Sequence, residues 1–216
     1  MRVIDPYYEI ITKIDKKDIL SKIESAGRIC YKSEGMMSES SSIPFVKNII
    51  KNGHESVLEH VIISVKFVCD RGISHEIVRH RIASFSQEST RYCRYVNEKF
   101  GGELTYIRPL FYSSGSKEQK IWENCLQVCE KSYISLIDLG SSPEEARSVL
   151  PNSLKTEILV TMNLREWRHF FRLRTSKNAH PQMRQLAVPL LIEMREKIPA
   201  IFDDIVLSDV VLNEQY

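Results

Sequence analysis

Several features that define common protein classes are missing from this sequence of 216 residues. Neither GxGxxG nor GxxxxGK[ST] occurs, so the usual glycine-rich nucleotide loops are excluded, and side chains would have to hold any nucleotide. No apolar run is long enough to span a bilayer, and the opening MRVIDPYYEI lacks the apolar region of a signal peptide. We therefore expect a cytoplasmic protein with no membrane partner.

A marked excess of either charge is also lacking. Lys and Arg total 30 and Asp and Glu total 28, which gives a formal net charge of +2. This balance predicts no general affinity for nucleic acid, so a phosphate ligand would need local clusters of cations. The five cysteines include no CxxC pair, and their odd number predicts free thiols in a reducing compartment.

The apolar pattern predicts a mixed α/β or α+β protein with one mostly antiparallel sheet flanked by helices, forming a single domain over residues 1–216. Strands are predicted at 61–68, 104–107 and 159–162. Helices are predicted at 43–51, 74–81, 118–139, 143–150, 164–174 and 182–197. In the long helix 118–139, we expect the buried face to include Ile121, Val128, Tyr133 and Leu139.

Residues 71–95 hold an unusual density of cations, with five arginines and two histidines. Arginine suits planar, bidentate contact with phosphate or carboxylate, and the serines and threonine between these cations would complete an anion site. A salt-bridged surface helix is the alternative. However, Arg79, His80 and Arg81 are consecutive and must point in different directions, so the pattern favours a ligand site.

The histidine spacing does not favour a metal site. His75 and His80 are five residues apart, so on a helix they diverge by about 140° rather than sharing a face. His54 and His60 are six apart, and the neighbouring arginines would repel a dication. We predict no metal.

The stretch RHRIASFSQESTRY, residues 79–92, resembles the signature of the flavin-dependent thymidylate synthases. In that family RHR is followed, after seven or eight residues, by serine; here seven residues separate Arg81 from Ser89. Three further blocks resemble the family in the same order, namely GHESVLEH (53–60), ARSVLP (146–151), and MNLREWRHFFRLR with AHPQMRQ (162–174 and 179–185). The resemblance covers about residues 53–185.

The resemblance implies the family's fold and a homotetramer with active sites at subunit boundaries. It also implies synthesis of dTMP from dUMP, with 5,10-methylenetetrahydrofolate as carbon donor and NADPH as reductant of an FAD cofactor that supplies hydride. By residue match, FAD contacts are expected from Ser56, Arg79, His80, Arg81, Gln87, Asn163, Arg165 and His169. Contacts with dUMP are expected from Glu76, Arg79, Gln87, Ser89, Thr90, Arg91, Arg147 and Arg174. His54 matches a position near the flavin ring and is a second catalytic candidate beside Arg174.

Arg174 is the predicted activating residue. A cation at the O4 and N3 edge of uracil would stabilise charge as C5 becomes a nucleophile, and removing such a donor typically costs about 10²–10³ in rate. On its predicted helix, Arg174 aligns with Trp167 and Phe171 as the one cation of the apolar face, while the other arginines share another face. Ser89 has no identifiable base beside it, so we expect it to bind rather than to attack.

Two departures from the family pattern, one alternative role and two alternative functions stay open. Ser86-Gln87 stands where the family often has Asn-Glu, and His169 where it often has an amide residue. Arg147 would serve equally as the partner of Glu144 on its own helix. The alternative functions are a nucleic-acid-binding module using residues 91–95, and a flavin reductase or oxidase without methyl transfer.

Overall fold

The computed structural model describes residues 1–95 and 102–207. Its strands are β1 Arg2–Ile4, β2 Tyr7–Ile10, β3 Ile62–Asp70, β4 Ala83–Gln87, β5 Thr105–Ile107 and β6 Lys155–Asn163. Its helices are α1 Lys16–Tyr31, α2 Ser42–Lys51, α3 Arg71–Ile77, α4 Lys117–Asp138, α5 Pro143–Ala146, α6 Leu164–Arg174, α7 Pro181–Lys197 and α8 Pro199–Phe202. Short 3₁₀ turns occupy Glu34–Met36, Glu55–His60 and Arg147–Val149.

The central sheet is antiparallel and has the strand order β2-β3-β6-β4. Strands β3 and β6 pair along nine residues, with Val65 opposite Val160. Along β6 the buried side chains alternate with more exposed ones such as Glu157 and Leu159, as expected for a sheet with one face in the core. The predicted mixed fold with a mostly antiparallel sheet is confirmed.

Aromatic side chains fix α6 against this sheet. Trp167, Phe170 and Phe171 are fully buried, and the ring centroids of the first two lie 6.4 and 6.2 Å from that of Phe67 on β3. Burying each such side chain contributes roughly 1.5–3 kcal/mol. The last residue of α6, Arg174, is therefore presented from a firmly packed helix.

A smaller parallel sheet, β1 with β5, lies over a second core beneath α4. Tyr106 of β5 and Tyr133 of α4 are fully buried there. Within residues 1–95 and 102–207, no helix combines the length and apolar character needed to cross a membrane.

The predicted buried face of the long helix was wrong in part. Tyr133 is buried, but Ile121, Val128 and Leu139 are 70%, 63% and 85% exposed. The sequence carries two apolar stripes, and α4 buries the one through Leu126, Tyr133 and Ile137. Helical period alone does not choose between two such stripes.

Several boundaries also differ from prediction. The Asp70 carboxylate caps α3 by accepting a hydrogen bond from the Ile73 backbone N–H, so this helix begins at Arg71 rather than at the predicted Ser74. It ends at Ile77, before Arg79. Strand β4 was not predicted because its alternation ASFSQ is short and only partly buried. Helix α1 was also missed, although the Asp15 side chain caps it.

Candidate active site

Three bonds hold Arg174 at the end of α6. Its Nε donates to His80 Nε2 at 3.1 Å, its Nη1 to Glu76 Oε2 at 2.8 Å, and its Nη2 to the Glu76 carbonyl oxygen at 2.7 Å. A guanidinium has five N–H groups, so two are left without a partner among the described residues. The side chain is 17% exposed. Glu76, His80 and Arg174 were all predicted site residues, and the structure brings them together around a fixed cation.

Both ring nitrogens of His80 are committed. Its Nδ1 lies 2.8 Å from Glu166 Oε1, while its Nε2 accepts from Arg174. Because arginine only donates, Nε2 must carry the lone pair, and the hydrogen must sit on Nδ1. Burial lowers the pKa of His80, and the charge of Arg174 adds to this while Glu166 opposes it. The ring is therefore neutral near pH 7. Because both ring nitrogens are already bonded, a contact of His80 with FAD would come from its backbone.

Glu166, which was not predicted, completes this group. It lies in the first turn of α6, where sequence reasoning assigns an acid to the helix dipole. Together with His169, the ligand atoms of His80 and Glu166 lie within 4.8 Å of one another, as in some metal sites. Because both nitrogens of His80 are already bonded and one faces Arg174, the geometry supports a hydrogen-bond network instead.

The predicted nucleotide-phosphate residues form a second group. Arg147 Nη1 donates to Oγ1 of the buried Thr90 at 3.2 Å. Arg91 pairs with Glu144 at 3.0 Å, so Glu144 partners Arg91 rather than Arg147. Ser89 Oγ accepts from the Arg91 backbone N–H at 3.3 Å. Two arginines and two hydroxyls thus lie on adjoining segments.

Gln87, at the end of β4, is anchored toward the interior. Its Nε2 donates to Ser74 Oγ at 2.9 Å and to Thr156 Oγ1 at 3.2 Å, which uses both amide hydrogens. The amide oxygen has no partner within the described part of the chain. The amide oxygen of Gln87 is therefore an uncharged hydrogen-bond acceptor.

His54, Ser56 and Arg165 line one cavity of about 400 Å³. Tyr31, at the end of α1, also lines it, and its hydroxyl lies 3.3 Å from His54 Nδ1. Arg165 pairs with Glu59 at 2.6 Å on the surface. Tyr31 was missed because the N-terminal region carries no residues of the recognised blocks.

The remaining predicted FAD residues are less enclosed. Arg79 and Arg81 are exposed, and neither guanidinium has an ion-pair partner among residues 1–95 and 102–207. Asn163 caps α6, its Oδ1 accepting from the Glu166 backbone N–H at 2.8 Å. His169 is exposed, and its ring centroid lies 5.7 Å from that of His80.

Arg168 corrects the prediction that Arg174 is the one cation on the apolar face of α6. Arg168 is fully buried, with bidentate 2.7 Å bonds to Asp204, a 3.1 Å bond to Glu55 and a further bond to the Ile201 carbonyl. The segments after α2 and α8 cover this side of α6, which its helical period does not reveal. Since Glu55 lies between His54 and Ser56, Arg168 also ties the cavity wall to α6.

Arginines, uncharged acceptors and a neutral buried histidine are groups that could bind anionic, planar ligands, as in an enzyme site. The comparisons with known proteins identify the family. The family described as thymidylate synthase complementing protein matches residues 11–200. The chain belongs to this family, and the predicted resemblance is confirmed.

Curated relatives carry the name flavin-dependent thymidylate synthase. The protein from Geobacter sulfurreducens is 40% identical over 188 residues, covering 83% of this chain and 78% of the relative. That from Corynebacterium aurimucosum is 34% identical over 194 residues, covering 84% and 78%. That from Pyrococcus furiosus is 37% identical over 165 residues, covering 74% and 66%.

A solved structure extends the likeness to the fold. The UMP/dUMP methylase PolB from Streptomyces cacaoi, bound with 5-Br dUMP, superposes with a TM-score of 0.77 at 20% identity. The match covers 94% of this chain and 96% of that chain.

Proposed function

We propose that Arg174, held by His80 and Glu76, activates the pyrimidine in the conversion of dUMP to dTMP by this flavin-dependent thymidylate synthase. The supporting observation is that three bonds fix the guanidinium while the described residues leave two of its N–H groups without a partner. Two donors of one planar group suit O4 of uracil, whose two lone pairs can accept both hydrogen bonds. Charge drawn there makes C5 a stronger nucleophile toward the methylene carbon, and a preorganised donor lowers the barrier to this step.

The donor set fits FAD. Arg79 and Arg81 are exposed and have no ion-pair partner among the described residues, so they suit a pyrophosphate, as does Arg165 beside the Ser56 hydroxyl in the cavity of about 400 Å³. The amide N–H groups of Asn163 have no partner in the described part of the chain, so they could donate to a ligand, and His169 is exposed nearby. When bound and reduced by NADPH, the flavin supplies the hydride that completes the methyl group of dTMP. Folate and NADPH are co-substrates, and His54 would control their access to this cavity.

For the phosphate of dUMP, the proposed contacts are Arg91, Arg147, Ser89 and Thr90. Arg91 is half exposed, and its ion pair within the described residues is with a surface glutamate, so a phosphate would compete readily for it. Gln87 would add the acceptor oxygen that its anchored amide leaves over, a match for the N3–H of uracil. Glu76 and Arg79 complete the expected nucleotide contacts.

A homotetramer with sites at subunit boundaries is also proposed. Exposed apolar residues lie on the outer face of the sheet, where Ile62 is 60% and Leu159 36% exposed, and Leu159 also lines a cavity of about 750 Å³. A second copy would cover this face. The cavity with His54 is lined by neither Arg147 nor Arg174. We propose that residues of a partner copy bring the flavin cavity and the nucleotide residues together in one active site. Within each copy we propose a single domain, and the free thiols suit the cytoplasm.

Isotope transfer tests the function against the oxidase alternative. Purified protein is incubated with dUMP, NADPH and 5,10-methylenetetrahydrofolate labelled in its methylene carbon, and the flavin absorption is recorded. We expect bound flavin and labelled dTMP that forms only with all three substrates. Flavin-dependent NADPH oxidation without label in dTMP would instead establish a reductase or oxidase.

A further inference from the structure

Glu166, Phe170 and Arg174 lie at positions i, i+4 and i+8 of α6, so they share one face of the helix. The His80 ring lies across this face, with its centroid 5.0 Å from that of Phe170. One ring nitrogen reaches the glutamate near the start of the helix, and the other reaches the arginine at its end. Helix α6 thus supports both ends of a continuous line of hydrogen bonds.

From this geometry we propose that Glu166 is a positioning residue, which fixes the orientation of Arg174 through His80. The inference rests on the proposed role of Arg174 and adds a residue outside the substrate contacts. A carboxylate only accepts, so Glu166 holds the hydrogen of the imidazole on Nδ1 and leaves Nε2 as the acceptor that Arg174 requires.

Without Glu166, the His80 ring loses its preference for the tautomer with hydrogen on Nδ1. The His80 side chain is 2% exposed, so solvent offers its Nδ1–H little replacement for the lost acceptor. The competing tautomer places an N–H on Nε2, directly against the Nε–H of Arg174. Two facing donors repel, so Arg174 would turn away from His80 and its two free N–H groups would lose their direction.

Protonation of His80 has the same effect as the wrong tautomer. The groups that face the ring are Glu166, which favours the imidazolium, and Arg174 and His169, which oppose it. Glu76 balances the charge of Arg174 from the other side. Loss of the Glu166 charge therefore lowers the pKa of His80, which moves the acid limb of the rate profile to lower pH.

Glu166→Gln tests this inference, with Glu118→Gln as a matched control. Glu118 is also a first-turn helix glutamate, but it is exposed and lies on α4. We expect Glu166→Gln to lower kcat for dTMP roughly 10- to 100-fold, a part of the about 10²–10³ that complete removal of a preorganised donor costs. We also expect its acid limb to shift to lower pH, while bound flavin and dUMP-independent NADPH oxidation stay unchanged. The control Glu118→Gln should match the wild type in kcat, in the acid limb, in bound flavin and in NADPH oxidation.

A second readout does not depend on activity. In ¹⁵N-histidine-labelled protein, with His80→Gln used to assign the resonances, wild-type His80 should show a protonated Nδ1 and an unprotonated Nε2. Glutamine keeps an amide oxygen that can accept from Nδ1–H, so the tautomer is compared in Glu166→Leu, which has no acceptor and should lose this preference. A wild-type ring protonated on Nε2, a Glu166→Leu variant with an unchanged tautomer, or a Glu166→Gln variant with unchanged kcat and pH profile overturns the inference. Wild-type protein that makes no dTMP contradicts the proposed function, and the spectrum then decides the positioning role alone.

Discussion

The Nε2 atom of His80 accepts a hydrogen bond of 3.1 Å from Nε of Arg174, a residue 94 positions later in the chain. This bond joins the signature segment after α3 to the end of α6, and it requires a neutral imidazole. The signature histidine thus supports, from within the protein, the arginine that we propose to activate the pyrimidine. Its flanking residues, Arg79 and Arg81, stay exposed for ligand contact.

Removing Arg147 should weaken dUMP binding. Arg147→Ala, and separately Arg91→Ala, are expected to raise KM for dUMP roughly 10- to 100-fold, since a charge-assisted hydrogen bond contributes about 1.5–3 kcal/mol. Steady-state kinetics measure this change, and FAD binding should be unaffected. Arg108→Ala is the control, because Arg108 pairs with Asp5 at 3.1 Å and is 49% exposed, close to the 3.0 Å and 53% of Arg91. An equal rise of KM for dUMP in Arg108→Ala would contradict the assignment of Arg91 and Arg147 as contacts of the dUMP phosphate.

Arg165 and Glu59 should have opposite effects on FAD. Arg165→Ala is expected to weaken FAD binding about tenfold, by loss of one charge-assisted contact. Glu59→Gln should leave it equal or tighter, because the 2.6 Å ion pair no longer competes for the guanidinium. Titration of flavin-depleted protein, followed by flavin fluorescence, measures both constants. Weaker binding in both variants would mean that the ion pair shapes the cavity and that Arg165 does not contact the cofactor.

Arg168 should matter for stability. Arg168→Met leaves Glu55, whose side chain is 14% exposed, without its buried partner, and we expect a loss of about 3 kcal/mol in the free energy of unfolding. Urea denaturation at neutral pH measures this loss. Arg165→Met, on the exposed side of the same helix, should cost far less, and equal losses would contradict the burial argument.

The same ion pairs predict an acid-sensitive fold. Burial opposes ionisation, but the bonds from Arg172 and Arg168 hold the pKa of Glu55 below its usual range, and those from Arg168 do the same for Asp204. Their stabilisation is complete above the unfolded pKa values of about 4 and is lost as pH falls through the lower folded values. Thermal unfolding between neutral pH and pH 3 should therefore show a smaller acid-induced loss in Arg168→Met than in the wild type.

The sequence predicted the family, the antiparallel sheet and helix α6 because these depend on local patterns. Apolar period and the RHR signature are visible within short windows. The burial of Arg168 cannot be seen within a short window, because its partner Asp204 lies 36 positions away and packs against Arg168 only in the folded chain. Glu166 was missed for a related reason, because a first-turn acid is ordinary until a distant histidine is placed beside it. The face of α4 was mistaken because two apolar stripes compete on one helix.

The most direct test of the central claim is a single-turnover measurement on Arg174→Ala. The variant, carrying flavin reduced by NADPH without dioxygen, is mixed with dUMP and 5,10-methylenetetrahydrofolate, and dTMP is quantified over time. We predict that flavin stays bound and is reoxidised by dioxygen as in the wild type, while dTMP formation slows by about 10²–10³. Formation of dTMP at the wild-type rate would contradict the assignment of Arg174 as the activating residue.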